Sequence, residues 1–312
     1  DKDNPDEIPN VIMPIVNEAL GKAAVRKENL SGVAATYGPG LIGSILVGLY
    51  FAKAFAYGLE IPFVGVNHME AHLFSNFLTT EENRPEFPFV CLTVSGGHTQ
   101  LIYVRKPFDY QMLGQTRDDA AGEAYDKVAK MLGLGFPGGP KVDKLAKDGN
   151  PRYVKFPRPY LEEGSFDFSF SGLKTAVLYY LRNHGLLGDT GSALAGRSTE
   201  VEHSHLGRSL LADLCASFQA AVVDVLVEKT IRATEQYQVK DIGVAGGVSA
   251  NSELRRRMKE EGERRGFRVH FPEMEYCTDN GAMIAYVGWL KLRAGFPSVP
   301  DEITAVANLQ IT

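Results

Sequence analysis

Val64–His72 reads V-G-V-N-H-M-E-A-H and predicts the central unit of the fold. An apolar extended run, Pro62–Val66, ends at Asn67, and a helix then begins with His68 and His72 in its first turns. Residues four positions apart on a helix lie about 40° apart around its axis, so both imidazoles face the same side. A strand-to-helix junction lies at the edge of a sheet, where open α/β folds place their sites. The stretch therefore predicts an α/β protein with a functional site at this junction.

Two imidazoles on one helical face can hold one divalent cation, and both zinc and iron accept nitrogen ligands. The alternative is a chance pair of histidines on a surface or in a half-buried position, and the pair alone leaves both interpretations open. Zinc proteases carry H-E-x-x-H, with the glutamate directly after the first histidine. Here Glu70 follows His68 by two residues, about 200° around the helix, and is predicted to face away from a metal. It would be a poor general base.

The 312 residues are enough for two domains or lobes, and 44% hydrophobic with 23% charged residues is typical of a globular protein. A net charge of -5 does not suggest an electrostatic nucleic-acid binder, although a local basic patch or a partner subunit could supply the positive field. Three widely spaced cysteines, Cys91, Cys215 and Cys277, indicate a reducing compartment and no disulfide framework. No apolar run approaches the roughly 18 to 20 residues that cross a bilayer, and no signal peptide is recognised.

Hydrophobic periodicity and turn residues predict alternating strands and helices. The predicted strands are Gly32–Thr36, Phe89–Val94, Gln100–Val104, Tyr110–Gln115, Asp241–Ala245 and Phe267–Phe271. The predicted helices include Asn10–Val25, Leu41–Leu59, Asp118–Leu132 with Asp118 or Asp119 as its N-cap, Lys141–Lys147, the amphipathic Leu210–Gln236, Glu253–Arg265 and Ala282–Leu292. Gly185–Arg208 is interpreted as a flexible surface insertion in which His203 and His205 are solvated.

Glycine pairs punctuate this pattern at Ser95–Gly97, at 137–140 (P-G-G-P) and at 246–251 (G-G-V-S-A-N). Neither the P-loop spacing nor G-x-G-x-x-G after a strand is met. Bare backbone in several separate turns suits a nucleotide held in a cleft between two lobes, because amide groups can approach a phosphate closely. The alternative is that these glycines serve ordinary turns and close packing.

Seven ordered motifs resemble one known family. They are N-H-M-E-A-H at 67–72, V-S-G-G-H-T-Q at 94–100, D-D-A-A-G-E-A-Y-D-K-V-A-K at 118–130, F-P-G-G-P at 136–140, F-S-F-S-G-L-K-T at 168–175, A-G-G-V-S-A-N at 245–251 and C-T-D-N-G-A-M-I-A at 277–285. Together they resemble the tRNA threonylcarbamoyladenosine synthase catalytic subunit (TsaD), once named O-sialoglycoprotein endopeptidase. H-M-E-A-H and D-A-A-G-E-A are closest to its bacterial and organellar branch.

The resemblance implies an α/β, two-lobed actin/hexokinase/Hsp70-like fold (ASKHA, ribonuclease H-like). It implies a first lobe over 1–84, a second lobe over 85–278, and a C-terminal helix and tail over 279–312 that return to the first lobe. The first lobe would lack the N-terminal β-hairpin with which family members begin. The implied enzyme is an acyltransferase that moves the threonylcarbamoyl group of threonylcarbamoyl-AMP to the N6 amine of adenosine 37 in tRNAs reading codons that start with A.

By the same resemblance, His68, His72 and Asp279 would bind one divalent metal ion, Fe²⁺ or Zn²⁺, although Asp279 could instead be only a helix N-cap. No catalytic residue beyond this metal site is implied. An ATP- or ADP-type nucleotide in the cleft is a further possibility. The residues implied to bind the substrate are Thr93, Val94, Ser95, Gly96, Gly97, Asp126, Gly139, Asp143 and Asn251.

The implied partners are tRNA and, in a bacterial protein, a paralogous TsaB-like subunit and a TsaE-like ATPase subunit; an organellar protein would be a homodimer. The implied location is the cytoplasm, or the mitochondrion for an organellar homologue, with no membrane contact. Rival functions are a zinc endopeptidase, a small-molecule kinase of the same fold and an actin-like nucleotide-binding scaffold. The Glu70 geometry argues against the first of these, and a kinase has no evident use for H-x-x-x-H.

Overall fold

A computed structural model describes residues 8–160, 164–186, 207–296 and 302–311 of the chain. It comprises two compact units: unit 1, Asp1–Leu78 together with Asp279–Ile311, and unit 2, Thr79–Thr278. Most of the predicted insertion, including His203 and His205, lies outside the described residues.

Helices and strands alternate along the chain, which confirms the α/β class. The strands are β1 Val33–Gly38, β2 Phe63–Asn67, β3 Phe89–Val94, β4 Thr99–Lys106, β5 Asp109–Gln115, β6 Asp241–Ala245 and β7 Arg268–His270. The helices are α1 Ile8–Ala23, α2 Ile42–Gly58, α3 His68–Phe74, α4 Ala121–Met131, α5 Gly138–Ala146, α6 Ser171–Asn183, α7 Arg208–Gln236, α8 Ser252–Arg265 and α9 Gly281–Arg293.

Unit 1 contains the parallel pair β1–β2, with Val33 opposite Phe63 and Thr36 opposite Val66. Every residue of β2 is buried because α9 and α3 cover the strand pair. The segment 302–311 runs beside β1, where the Val306 amide donates to the carbonyl of Tyr37. The first quarter of the chain therefore builds this unit together with α9 and the segment 302–311.

Unit 2 is organised around a five-stranded sheet of order β5-β4-β3-β6-β7. The central strand β3 pairs antiparallel with β4 and parallel with β6. Both β3 and β6 are buried throughout, as continuous apolar runs predict for strands covered on two faces. The carboxyl ends of β3 and β6 lie side by side, so the turns that follow them are neighbours.

The helix α7 differs from the sequence-based prediction in two ways. It is long and apolar enough to span a membrane by length and composition, so the statement that no run approaches that length was wrong. It is also buried around almost its whole circumference rather than amphipathic, with 78% of its most apolar window buried inside the protein. A mostly buried helix of this kind is the core helix of its unit, so its apolar composition is weak support for a membrane span.

The start of α4 also differs from the prediction. Ala120, not Asp118 or Asp119, is its N-cap residue, and the amide of Ala121 donates to Thr99 Oγ1 at 2.9 Å. A hydroxyl from the first residue of β4 thus replaces the local cap that the aspartates were expected to provide.

Candidate active site

His68 and His72 lie on one face of α3, and their side chains meet Asp279. The Nε2 atoms of His68 and His72 lie 3.3 and 3.1 Å from Asp279 Oδ1, and the two rings are 4.6 Å apart at 81°. One ligand atom from each residue lies within 4.8 Å of those of the other two. All three residues belong to unit 1, although His72 and Asp279 are 207 positions apart in sequence. The described residues contain one such group of three.

The local sequence explains why these side chains converge. Asn67 ends β2 and is the N-cap of α3, since its Oδ1 accepts hydrogen bonds from the amides of Met69 and Glu70 at 2.8 and 3.3 Å. Asp279 lies one residue before Asn280, which is the N-cap of α9 and accepts from the Met283 amide. The cap interpretation of Asp279 was therefore wrong, and its carboxylate is left to face the histidines.

The three side chains of the cluster shift one another's pKa values. Hydrogen bonds from His68 and His72 hold the pKa of Asp279 well below its usual range. Burial lowers the pKa of His72, with the neighbouring His68 acting in the same direction and Asp279 against it. The arrangement favours an ionised carboxylate and a neutral His72 imidazole, which is the protonation state that metal ligands require.

The donor set fits a divalent ion with open coordination positions, since two imidazoles and one carboxylate suit zinc or iron. His72 Nδ1 is buried and has no protein hydrogen-bond partner among the described residues. A metal-binding histidine is usually oriented by a hydrogen bond from its other ring nitrogen. The orientation of His72 rests instead on the placement of α3 and on the contact of its Nε2 with Asp279.

In unit 2, the glycine turns lie close to one another. A β-carbon on Gly246, whose φ is +86°, would stand 2.4 Å from the carbonyl oxygen of Val94. A β-carbon on Gly122, in the first turn of α4, would stand 2.5 Å from the carbonyl oxygen of Ser95. The turn after β3, the turn after β6 and the start of α4 therefore pack together with backbone against backbone.

The predicted substrate residues around the first turn differ in exposure. The side chains of Thr93 and Val94 are fully buried, whereas Gly96 and Gly97 are exposed, and a β-carbon on either glycine would meet no atom within 4 Å. Ser95 is half-buried, and its hydroxyl accepts from the His98 amide at 3.1 Å. The accessible part of this turn is thus the backbone of the glycine pair.

Asp126 and Gly139 meet at the P-G-G-P turn. Asp126 Oδ1 accepts a hydrogen bond from the Gly138 amide at 2.7 Å and so stabilises the start of α5. Asp126 Oδ2 has no hydrogen bond to the described residues and stays available for a ligand. Gly139 has no atom within 4 Å of its would-be β-carbon, so protein packing does not explain why this position is glycine.

Asp143 and Asn251 have internal partners. Both carboxylate oxygens of Asp143 accept from Ser252, one from its hydroxyl at 2.8 Å and one from its amide at 3.2 Å. Asn251 caps α8 through the Leu254 amide and donates to Gln219 Oε1 at 2.8 Å. Either residue would have to exchange or share these bonds to contact a substrate. Of the three polar residues, Asp126 is therefore the best placed to bind a ligand, because one of its oxygens has no hydrogen bond to a described residue.

Sequence reasoning missed the connection between two of the motifs. Asp118 accepts hydrogen bonds from the hydroxyls of Ser169 and Ser171 and from the amides of Phe170 and Ser171. Burial acts to raise the pKa of Asp118, but these donors outweigh it and lower the pKa. The signal in the sequence was the pair of alternating serines in F-S-F-S before a helix. Their hydroxyls and the first amide groups of the helix need a hydrogen-bond acceptor, and Asp118 provides it.

Unit 2 also carries a cluster of exposed cations that sequence analysis did not single out. Four exposed cations, Lys144, Lys147, Arg152 and Lys155, form no ion pair with the described residues. Four arginines of α8, by contrast, pair with carboxylates: Arg256, Arg257, Arg264 and Arg265. A surface cavity of about 280 Å³ is lined by Pro151, Arg152, Val154, Lys155 and Arg158. We call 144–155 the basic segment.

Comparison with known proteins agrees with these observations. The family model TsaD, described as tRNA N6-adenosine threonylcarbamoyltransferase, matches residues 9–286. The chain belongs to this family. The enzyme of this name from Salinibacter ruber is 51% identical over 290 residues, which are 93% of this chain and 81% of that protein. The Ralstonia pickettii enzyme of the same name is 49% identical over 93% of this chain and 79% of its own length.

A solved structure supports the fold expected for the threonylcarbamoyltransferase family. Full-length HypF in its phosphate- and nucleotide-bound form superposes with a TM-score of 0.61 at 14% identity, covering 91% of this chain and 50% of that one. At this identity the likeness concerns the fold alone. It confirms the two-lobed α/β architecture that the motifs implied.

Proposed function

We propose that the chain transfers the threonylcarbamoyl group from threonylcarbamoyl-AMP to the N6 amine of adenosine 37 in tRNAs that read codons starting with A. The observation that carries the proposal is the convergence of His68, His72 and Asp279 in a chain 51% identical to an enzyme of this name. We propose that these three residues bind one divalent ion, Fe²⁺ or Zn²⁺. When bound, such an ion supplies Lewis acidity for the carbamoyl carbonyl, which a weakly nucleophilic aromatic amine requires.

The protein side chains have separate roles in this proposal. His68 and His72 offer neutral nitrogen donors, and Asp279 adds a negative charge that lowers the net charge of the bound ion. Asp126 Oδ2 accepts hydrogen bonds from ribose hydroxyls, while the exposed amides at Gly96 and Gly97 bind phosphate oxygens. In the reaction, the amine nitrogen forms a bond to the carbonyl carbon, AMP departs, and the amine loses one proton.

The family's former name suggested a zinc endopeptidase, and the position of Glu70 disfavours that activity. Glu70 is buried in an ion pair with Lys291, with Oε2 and Nζ 2.8 Å apart. A carboxylate held in this way does not activate a metal-bound water.

Partners and location are part of the proposal. We expect tRNA as substrate, a TsaB-like and a TsaE-like subunit if the protein is bacterial, and a homodimer if it is organellar. The three cysteines are buried and unpaired, which suits the reducing compartment expected for a cytoplasmic or mitochondrial enzyme.

The test combines nucleoside analysis of tRNA with elemental analysis of the protein. Purified protein with its partner subunits, threonylcarbamoyl-AMP and unmodified tRNA should yield the threonylcarbamoylated nucleoside. His68→Ala should lose both the metal and the product while keeping its fold. Full metal occupancy in that variant would refute the ligand assignment, and absence of product from the unaltered protein would refute the transferase activity.

A further inference from the structure

The motif N-H-M-E-A-H contains two polar residues that are not proposed ligands, Asn67 and Glu70. Both are buried, at 6% and 5% of their exposed areas, and burying polar groups is unfavourable unless they have partners. Their partners lie on two other segments of unit 1. Both partners, Lys291 and Gln310, connect the helix that carries the histidines to other parts of unit 1.

Glu70 connects the histidine helix to the aspartate helix. Its carboxylate pairs with Lys291, which lies in the last turn of α9, and the Lys291 side chain is only 12% exposed. Asp279 lies just before the first turn of the same helix. The ion pair therefore joins the element that carries His68 and His72 to the element that positions the third ligand.

Asn67 fixes the start of α3. Its Oδ1 caps the helix, and its Nδ2 donates to the carbonyl of Gln310 at 2.9 Å. The segment 302–311 is in turn hydrogen-bonded to β1 and the turn after it, through the Val306 amide to Tyr37 and the Gly40 amide to Ala307. The helix is thus held at its N-cap by Asn67 as well as through Glu70, on the face opposite the histidines.

We propose that Asn67 and Glu70 are positioning residues that set the orientation of the histidine ligands, a proposal that rests on the metal centre proposed above. His72 Nδ1 has no protein partner among the described residues, so no hydrogen bond from the nitrogen that faces away from Asp279 orients the ring. The orientation comes instead from α3, which is fixed by Gln310 through Asn67 and by Lys291 through Glu70. In this proposal, Asn67 and Glu70 act through α3 and do not contact the reacting atoms.

The test uses Glu70→Gln, Lys291→Met and the double variant, each in the full chain. Affinity for Zn²⁺ is measured by competition with a chromophoric chelator, and the visible spectrum of bound Co²⁺ reports ligand geometry. Loss of a group hydrogen-bonded to a metal ligand typically weakens metal binding 10- to 100-fold. Glu70 and Lys291 act on the ligands only through α3, so we expect each single variant to weaken Zn²⁺ binding by up to about 10-fold and to alter the Co²⁺ spectrum. The double variant should lose no more than the larger single loss, because both changes break the same ion pair. Lys291→Met should be the larger single loss, because it also removes the 3.5 Å bond from Lys291 Nζ to the Gly65 carbonyl.

Lys53→Met is the matched control. Lys53 Nζ donates to the Ile303 carbonyl at 2.6 Å, seven residues before Gln310 in the segment 302–311, and forms no hydrogen bond or ion pair with α3 among the described residues. This variant should unfold at lower denaturant concentration while keeping Zn²⁺ affinity and the Co²⁺ spectrum. Should Glu70→Gln behave like Lys53→Met, the pair is structural only and the inference is wrong.

Asn67→Ser keeps the inference testable if the charge variants do not fold. Serine retains a cap acceptor for the Met69 and Glu70 amides but removes the amide group that reaches Gln310. We expect a folded protein with weaker Zn²⁺ binding and a changed Co²⁺ spectrum; unaltered values of both would contradict the inference. If the unaltered protein binds no Zn²⁺ or Co²⁺, or if His68→Ala keeps full occupancy, the metal centre itself is refuted, which is a separate result.

Discussion

Gly138 and Gly139 are neighbours in one turn, but their surroundings differ. A β-carbon on Gly138 would stand 2.5 Å from the Ala129 β-carbon and 2.9 Å from Asp126 Cα, whereas one on Gly139 would meet nothing within 4 Å. We predict that Gly138→Ala lowers the free energy of unfolding by about 1–3 kcal/mol through overpacking. Gly139→Ala should change it by less than about 0.5 kcal/mol. Urea denaturation of the two variants measures both values.

The free space at Gly139 gives a second prediction at this scale. If the nucleotide part of the intermediate approaches the backbone there, a bulky side chain should exclude it. Gly139→Val should weaken binding of a non-hydrolysable threonylcarbamoyl-AMP analogue in calorimetry and leave the metal content unchanged. Unchanged affinity would show that the nucleotide does not bind at this turn.

Asp126 should show a mixed effect, because one oxygen caps α5 and the other is available. Asp126→Ala should weaken analogue binding by about 1–3 kcal/mol, since ribose hydroxyls lose an acceptor. It should also lower stability by about 1 kcal/mol, since the Gly138 amide loses its partner. Asp126→Asn is the control for charge, because its side-chain oxygen can still accept from Gly138. A stability loss without any loss of affinity would show that the residue is only a cap.

At the scale of elements, α7 contains a fully buried lysine. Lys229 Nζ donates to the carbonyls of Tyr160 at 3.0 Å, Ser165 at 3.2 Å and Asp167, and so attaches these three residues to the core helix. Burial lowers the pKa of Lys229 to about 8, with Arg232 acting in the same direction and Asp167 against it. The lysine therefore connects two elements while carrying a charge that the interior disfavours.

This balance predicts a pH dependence of stability. Between the folded pKa of about 8 and the unfolded value of 10.5, the unfolded chain holds the proton and the folded chain does not. Stability from this residue therefore rises with pH through that window, by up to about 3 kcal/mol. The free energy of unfolding of the unaltered protein, minus that of Lys229→Met, should increase from pH 8 to 10.5. A flat difference would show that Lys229 is not titrating.

Elements that depend on local pattern were predicted well from the sequence. β3 and β6 have the predicted bounds, and α2 and α8 agree within one residue at each end. The predictions that failed depend on partners distant in sequence. Thr99 replaced the expected caps of α4, and Asp118 serves α6 instead. Periodicity also gave α7 an exposed face, because a helix covered on all sides still carries scattered polar residues that bond internally.

The candidate site divides in the same way. The i, i+4 histidines and the direction of Glu70 follow from helix geometry, so the sequence indicates them. The partner of Glu70 cannot be predicted from helix geometry. Lys291 is more than two hundred positions away, and its distance from Glu70 depends on the packing of α9. For Asp143 and Asn251, the sequence indicates only polar side chains near a turn. It does not reveal that Asp143 is already hydrogen-bonded to Ser252 and Asn251 to Gln219.

At the scale of the molecule, the net charge of -5 hides an uneven distribution of charge. The basic segment offers cations without ion-pair partners among the described residues, and phosphate contacts release counterions at about 0.9 per charge. Lys147→Ala/Lys155→Ala should therefore weaken tRNA binding and reduce the slope of log affinity against log salt by about 2. The exposed pair Lys106→Ala/Lys259→Ala is the matched control. Equal slopes in the two variants would exclude the basic segment from the tRNA surface.

Partner subunits should matter for the same electrostatic reason. An acidic chain with one short basic segment is expected to bind tRNA weakly alone, so accessory subunits, or a second copy of the chain in an organellar protein, should complete the surface. We predict that tRNA modification by the isolated chain, supplied with threonylcarbamoyl-AMP, is far slower than with its partners. A full rate from the isolated monomer would contradict this.

The return of the chain into unit 1 also sets an order of events on the ribosome. The histidines are translated 207 positions before Asp279, which at roughly 5–20 residues per second is a delay of roughly ten to forty seconds. During that time the nascent protein holds two of the three proposed ligands and lacks Asp279. If the proposed site binds a metal, its three ligands are therefore together only in polypeptides whose translation has passed Asp279, and metal loading would distinguish these from chains interrupted earlier.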